Sequence, residues 1–132
     1  MTERLELYKC EVCGNTVQVI LEGFGQLTCC GQPMLKMLPK TNDENFAEKH
    51  VPVFNEREAG LEIKVGSIPH PMENEHYIMF MEAISKDKNN MLLQYLYPND
   101  EPKTVIRDIQ EVENALEFCN IHGLWEGKND KH

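Results

Sequence analysis

The chain has 132 residues, of which 41% are hydrophobic and 27% are charged, proportions that are ordinary for a globular protein. The formal net charge is -9 and Lys and Arg do not cluster, which argues against a nucleic-acid-binding surface. The apolar runs are too short for a transmembrane segment, and the charged start MTERLELYKC lacks the apolar core of a signal peptide. We therefore expect one domain or two small ones, with no membrane partner and no secretion.

The first 38 residues carry four of the five cysteines and none of the five histidines. They contain a short strand-like run, TVQVI, and a Gly-rich turn, EGFGQ. A unit of fewer than about 40 residues rarely folds without a metal, a disulfide or a partner. Because the cysteine count is odd and no export signal is present, the pattern favours metal ligation over a disulfide framework. Four thiolates around one metal ion would supply the missing core.

The four cysteines run Cys10-Glu-Val-Cys13-Gly and then Cys29-Cys30-Gly, and four thiolates suit tetrahedral zinc or iron. A thioredoxin-like redox motif would need a βαβ setting, and buried structural thiols would not explain two pairs in so short a segment. A structural zinc ribbon stays open, although ribbons usually carry two spaced pairs. Adjacent side chains point to opposite faces of an extended chain, so Cys29 and Cys30 need a tight turn to reach one ion. We expect this turn to distort the tetrahedron, which suits a redox iron.

Residues 39–132 have the pattern of an all-β domain. The polar stretch KTNDENFAEK after Pro39 is interpreted as a linker that runs into a loop. GLEIKVG alternates Leu61, Ile63 and Val65 with polar neighbours, as in a half-buried strand. Further strand-length runs are HYIMFMEAIS, MLLQYLYP, TVIRDI and ALEFCNI. The segment EVENALEF is assigned to a strand, with a short helix as the alternative. Five or more short strands at this spacing predict a β-sandwich.

Four histidines and a cysteine form a second candidate metal site in this part of the chain. Prolines flank His70 on both sides, and Pro52 stiffens the chain after His50. The remaining candidates are His76, Cys119 and His122, whereas His132 is interpreted as a solvated tail. Mixed Cys and His ligands usually indicate zinc. Five protein ligands exceed a tetrahedron, however, and imply a square pyramid with an open sixth position, a geometry suited to chemistry.

These motifs together resemble the desulfoferrodoxins, the two-domain form of superoxide reductase. The resemblance follows the order of the chain through CEVCG, CCGQPM, EKHVPV, VGSIPHPM-ENEHYI and CNIHGLW. It implies a mainly β protein with a desulforedoxin-like (rubredoxin-like) metal domain over residues 1–38. An immunoglobulin-like catalytic β-sandwich would follow over residues 39–132.

The resemblance also implies two iron ions per chain. The first, iron centre I, would be held by Cys10, Cys13, Cys29 and Cys30. The second, iron centre II, would have four equatorial histidines and one axial thiolate, which are His50, His70, His76, His122 and Cys119.

The implied reaction is the one-electron reduction of superoxide to hydrogen peroxide at centre II. Lys49 would steer the anion and position a proton-donating water, and Glu48 would cap the iron after turnover. The plainer alternatives are a solvated surface lysine and a loop acid. The resemblance further implies electron transfer through centre I from a donor such as rubredoxin, in a cytoplasmic homodimer. Two other functions remain open: a zinc-ribbon module fused to a binding β-sandwich, and a pure electron carrier.

Overall fold

The structure is a computed structural model that describes residues 1–41 and 45–129. It divides the chain into two compact units, Met1–Leu38 and Pro39–His132. Part of the predicted linker, residues 42–44, and the predicted tail at His132 lie outside the described residues. No helix in the described part of the chain has the length and apolar character to cross a bilayer.

The first unit consists of short strands joined by turns. Strands β1, β2 and β5 form an antiparallel sheet in the order β2-β1-β5, and β3 and β4 form a separate hairpin. The strands span Leu7–Lys9 (β1), Thr16–Gln18 (β2), Thr28–Cys29 (β3), Gln32–Pro33 (β4) and Leu35–Lys36 (β5). Its described apolar core is small, because only Leu7, Cys10 and Val19 are buried. So few buried side chains agree with the prediction that this unit needs a metal.

The β3–β4 hairpin explains how two adjacent cysteines fit into the unit. Cys29 pairs with Gln32, so Cys30 and Gly31 are the two central residues of the turn. Both have positive φ, 53° and 74°, as a type I′ hairpin turn requires. The turn is therefore the tight local bend that the sequence predicted for this pair of cysteines.

The second unit contains one short helix and seven named strands within the described residues. The elements are α1 (Ala47–His50), β6 (Pro52–Arg57), β7 (Gly60–Val65), β8 (Ile78–Ser85), β9 (Met91–Tyr95), β10 (Lys103–Ile106), β11 (Val112–Cys119) and β12 (Gly123–Lys128). They form two antiparallel sheets in the orders β10-β7-β6 and β12-β11-β8-β9. The prediction of a mainly β chain with a β-sandwich is confirmed.

The inner faces of the two sheets enclose the hydrophobic core. Ile63 and Val65 of β7 are 1% and 2% exposed, as the alternation in GLEIKVG predicts. Ala115 and Cys119 of β11 reach the same core from the other sheet. EVENALEF belongs to strand β11, which excludes the helical alternative.

Three elements of the second unit were not predicted: α1, β6 and β12. In the first unit the run TVQVI contains β2, and the other four short strands were not predicted. Helix α1 has only four residues, too short for a 3.6-residue periodicity to be recognisable. Strand β12 contains Gly123 and Gly127, and glycine is depleted in strands. Gly127 is required because an added Cβ would lie 2.5 Å from the carbonyl oxygen of Pro52 at the start of β6. The close approach of β12 and β6 therefore requires a glycine, and this glycine makes the strand difficult to recognise in the sequence.

Candidate metal centres

The four cysteines of the first unit lie together. Their sulfur atoms are all within 4.8 Å of one another. The Sγ atoms of Cys13 and Cys29 are 3.6 Å apart, and those of Cys29 and Cys30 are 3.9 Å apart. All five cysteines of the chain, each of them described, are free thiols. The separations are far above a disulfide bond of about 2.05 Å, so the sulfurs are neighbours that are not bonded to one another.

The sulfur spacing fits a tetrahedral metal. A metal–sulfur bond of about 2.3 Å gives a tetrahedron with an edge of about 3.8 Å, close to the separations found here. Cys10 follows β1, and Gly14, with φ 85°, closes the loop after Cys13. Backbone N–H groups point at the sulfurs, from Cys13 to Cys10 Sγ at 3.5 Å and from Asn15 to Cys13 Sγ at 3.4 Å. Such donors stabilise thiolate ligands rather than thiols.

The thiol pKa values of this cluster are perturbed in opposite directions. The backbone N–H of Cys13 lowers the pKa of Cys10 to about 6. Hydrogen bonding with Cys13, followed by that with Cys29, raises the pKa of Cys30 to about 12. Like charges at these distances oppose full ionisation of the cluster. A divalent or trivalent cation would remove that opposition and release protons on binding.

The second cluster lies in the β-sandwich unit. One ligand atom from each of His50, His76, Cys119 and His122 lies within 4.8 Å of the others. His70 is outside this strict group, but its Nε2 is 3.0 Å from Nε2 of His50. His50 ends α1, Cys119 ends β11 and His122 lies in the turn to β12. The loop between β7 and β8 supplies the other two histidines.

The four imidazoles form a closed ring of neighbours. The successive centroid distances are 4.6 Å from His50 to His70, 4.7 Å from His70 to His76, 5.2 Å from His76 to His122 and 4.8 Å from His122 to His50. Interplanar angles of 63–80° set each ring edge-to-face against the next. Four imidazoles that surround one point resemble a ligand set more than a packed core.

The hydrogen bonds of two of these histidines leave an electrostatic conflict. Nδ1 of His50 donates to the Phe46 carbonyl at 2.8 Å, and Nδ1 of His70 donates to the Pro71 carbonyl at 2.6 Å. A neutral imidazole with a proton on Nδ1 has only a lone pair on Nε2. The two Nε2 lone pairs therefore face each other at 3.0 Å. A bound cation would turn this repulsion into ligation.

Protonation does not resolve the conflict at neutral pH. Burial lowers the pKa of His50, and it lowers the pKa of His70 to about 4. Their side chains are only 1% and 5% exposed, so a second ring proton would be poorly solvated. Nε2 of His76 is also buried and has no hydrogen-bond partner among the described residues. Three imidazole nitrogens thus lack a hydrogen-bond donor, and a metal ion would take the place of that donor.

Cys119 supplies the sulfur of this cluster. Its side chain is fully buried, and its Sγ accepts the backbone N–H of His122 at 3.4 Å. Burial raises the pKa of the Cys119 thiol, so this thiol stays protonated in the metal-free protein. Binding of a cation would displace that proton and leave a thiolate, a soft and electron-rich ligand. The nitrogen and sulfur donors fit an iron site.

Glu48 and Lys49 precede His50 and are both exposed. The Glu48 carboxylate does not belong to the described cluster of ligand atoms. Lys49 lies close enough for its positive charge to contribute to the lowered pKa of His122, whose main cause is burial. Gly66 holds this segment from behind, because a Cβ there would lie 2.6–2.7 Å from backbone atoms of Glu48 and Lys49. The loop that carries both residues is therefore packed at its backbone and exposed at its side chains.

Residues that were not singled out in the sequence support the ligands. Trp125 stacks on His50 at 4.7 Å and donates through Nε1 to the His122 carbonyl at 3.1 Å. Asn120 accepts from the backbone N–H of Tyr77 at 3.0 Å and donates to the Glu75 carbonyl at 3.0 Å. These bonds hold the loop around His76 against the turn that carries His122. Their place in CNIHGLW, within three residues of a ligand, was the signal available in the sequence.

Family models match both units of the chain. The model described as "Desulfoferrodoxin, N-terminal domain" matches residues 2–37, and the model "Desulfoferrodoxin" matches residues 42–128. The chain belongs to the desulfoferrodoxin family. The resemblance inferred from its cysteine and histidine motifs is thereby confirmed.

Individual relatives extend over nearly the whole chain. A desulfoferrodoxin homolog of Archaeoglobus fulgidus is 48% identical, covering 96% of this chain and 98% of the relative. The desulfoferrodoxin of Desulfarculus baarsii is 43% identical, covering 98% and 100%. A superoxide reductase of Pyrococcus horikoshii is 35% identical over 72% of this chain and 96% of its own length.

A solved structure has the same fold. The crystal structure of the superoxide reductase from Treponema pallidum aligns with a TM-score of 0.74 and 25% sequence identity. The alignment covers 97% of this chain and all of that one.

Proposed function

We propose that this member of the desulfoferrodoxin family is a superoxide reductase that binds two iron ions. Centre I would be held by Cys10, Cys13, Cys29 and Cys30. Centre II would be held by His50, His70, His76, His122 and Cys119. Residues 1–38 would form the electron-transfer domain, and residues 39–132 the catalytic domain.

The observation that carries the proposal is the contact between His50 and His70. Two buried Nε2 atoms, each with a lone pair, are held 3.0 Å apart by backbone hydrogen bonds at the opposite ring nitrogens. Such a contact costs free energy in a metal-free protein, because each buried polar atom lacks a donor. Preorganised ligands repay that cost when a cation binds.

The ligand set determines the charge that an incoming anion meets. Four neutral imidazoles and one thiolate offset only one unit of the charge of a divalent ion, so the centre stays positive within an acidic protein. When bound, iron supplies the single electron that superoxide accepts. Superoxide must also gain two protons to become hydrogen peroxide. Because His76 and His122 are only partly buried, water can reach this side of the cluster and deliver those protons.

Lys49 would attract and orient superoxide. Its side chain is exposed beside a ligand, where an ammonium group can steer an anion and hold a water molecule. Glu48, the preceding residue, would act after turnover, when its carboxylate reaches the oxidised centre. The packed backbone at Gly66 supports these roles, because it fixes where the two side chains leave the chain.

Centre I would receive the electron from a small donor protein such as rubredoxin. The exposed side chains of Cys13 and Cys30 support this role, since a partner can approach the sulfur ligands directly. The five free thiols fit a reducing cytoplasm. A homodimer is supported by the apolar side chains of Leu21 and Phe24 in the first unit, which are 79% and 92% exposed. A second copy would cover them.

The proposal is tested by metal analysis combined with stopped-flow kinetics. We expect two iron ions per chain, visible absorption from ferric thiolate ligation, and rapid consumption of superoxide with one hydrogen peroxide formed per superoxide. A colourless protein that contains only zinc would support the zinc-ribbon module instead. A coloured protein that exchanges electrons but leaves superoxide untouched would be an electron carrier.

A further inference from the structure

We infer that Lys40 is a positioning residue of the histidine–cysteine cluster. Its ammonium group adds a fixed positive charge beside the cluster, in addition to that of Lys49, and it holds the turn that carries His122. The inference rests on the proposed iron centre for its effect on the reaction. It deepens that proposal, because Lys40 lies outside every motif by which the cluster was found.

The backbone of Lys40 is fixed on both sides. Its N–H donates to the Leu124 carbonyl at 2.9 Å, and its carbonyl accepts the N–H of Glu126 at 2.9 Å. These bonds form a parallel bridge with Trp125, so Lys40 extends the edge of the four-stranded sheet beyond β12. The side chain therefore starts from a defined position.

The ammonium group of Lys40 has two partners at the cluster. Nζ donates to the His122 carbonyl at 3.0 Å, the same oxygen that accepts Nε1–H of Trp125. It also lies 5.5 Å from the centroid of the Trp125 ring, within the range of a cation–π contact. Trp125 in turn stacks on His50. Lys40 thus contacts the backbone of one histidine, His122, and the ring that stacks on another, His50.

A free surface lysine would need none of these contacts. An exposed ammonium loses side-chain entropy when it is held in one geometry, and a single surface interaction rarely compensates. Here a charge-assisted hydrogen bond, an aromatic face and a pinned backbone act together. The hydrogen bond to the His122 carbonyl and the contact with the ring that stacks on His50 place this charge next to two of the imidazoles.

A positive charge at this place has two consequences. It stabilises the reduced centre, which carries one positive charge less than the oxidised centre, and so raises the reduction potential. It also adds to the attraction of a small anion from solution, an effect that salt screens. The backbone anchor of His122 is a separate effect that would appear even without a metal.

The test compares Lys40→Met with Lys40→Arg, and uses Lys86→Met as the matched control. Lys86→Met removes the same charge as Lys40→Met. Lys86 is an exposed lysine next to the end of β8 that lies away from Cys119, so its loss should not affect the cluster. The first readout is the fluorescence of Trp125, the only tryptophan, in metal-free protein. The others are the midpoint potential of the iron-loaded cluster and the rate constant with superoxide at low and high salt.

We expect Lys40→Met to shift the Trp125 emission and to slow the reaction about threefold at low salt, with the difference lost at high salt. A threefold change in the redox equilibrium corresponds to a midpoint potential lower by about 28 mV, at 59 mV per tenfold for one electron. Lys40→Arg should retain the wild-type emission, rate and midpoint potential, and Lys86→Met should leave all three unchanged.

Two results would overturn the inference. One is a Lys40→Met protein with wild-type emission and potential, and the other is a Lys86→Met protein that changes as much as Lys40→Met. If the wild-type iron protein fails to reduce superoxide, the proposed function falls instead. The emission and the potential then still decide whether Lys40 acts on the cluster.

Discussion

The two cysteine-containing clusters differ in what surrounds them. The sulfurs of the first unit are held by turns, with Cys13 and Cys30 exposed and few apolar side chains buried nearby. The cluster of the second unit lies at strand ends beside a core that includes Ile63, Ile78 and Met81. We therefore expect the first unit to need its metal in order to fold, whereas the second has a core of its own and could use its metal for chemistry.

Removal of both metals should give the largest difference in stability between the two units. We expect a chelator at neutral pH to unfold residues 1–38, because the structural metal of a comparable small site contributes on the order of 10 kcal/mol. The second unit should keep its strands and its cooperative unfolding transition. Amide hydrogen exchange on metal-free protein measures both outcomes in one experiment. Equal loss of protection in the two units would contradict the comparison.

The next largest effect is expected for Cys119→Ser. Loss of a partner around a metal ligand typically costs about 10–100-fold in affinity or activity, so loss of the ligand itself should cost about 100-fold or more. The superoxide rate constant measures the loss. The spectrum of the first centre should be unchanged, which serves as the internal control. A serine variant with normal kinetics would exclude Cys119 as a ligand.

A smaller effect is expected for Gly66→Ala. The added Cβ would meet backbone atoms of Glu48 and Lys49, and a non-glycine residue at φ 76° is strained by about 1–3 kcal/mol. We expect a lower urea midpoint for the second unit and slower reaction with superoxide, since the Lys49 loop is displaced.

Gly60→Ala is the matched control for this substitution. Gly60 has a φ of 140°, and a Cβ there would lie 2.5 Å from the Ile106 carbonyl oxygen. It should lose stability without slowing the reaction, because it lies at the end of β7 opposite to Gly66. If both variants lose the same activity, the contact behind Lys49 has no separate role.

The smallest effect concerns acid stability of the metal-free protein. The pKa of His70 is lowered from 6.5 to about 4 in the folded state, so unfolding allows this histidine to take up a proton. The free energy of unfolding of the metal-free protein is therefore highest above pH 6.5 and decreases as the pH falls from 6.5 towards 4. The lowered pKa values of His50 and His122 act in the same direction. Urea midpoints of the metal-free protein across this range, compared with His70→Gln, should show a flatter profile for the variant.

The parts that could be predicted from sequence depend on local pattern. Alternation in β7 is a short-range signal, and the β-sandwich predicted with it is confirmed. The paired cysteines are also a short-range signal, and their four sulfurs lie together in the structure. Lys40 and His122 are 82 residues apart, and no local pattern connects them. Strand β12 was missed because it contains two glycines, of which Gly127 allows close packing against Pro52 and neither favours a strand. Long-range contacts of this kind are visible only in the folded chain.

The spacing of the histidines and Cys119 along the chain has a consequence for folding. His50 precedes the first strand of the sandwich and His122 precedes the last, so most of the second unit lies between them. An ion bound by both closes this long loop and reduces the entropy of the unfolded chain, as a disulfide between distant residues does. All five described cysteines are free, so the chain makes no such covalent link itself. The metal would act as a removable cross-link, present only when the reactive centre is assembled.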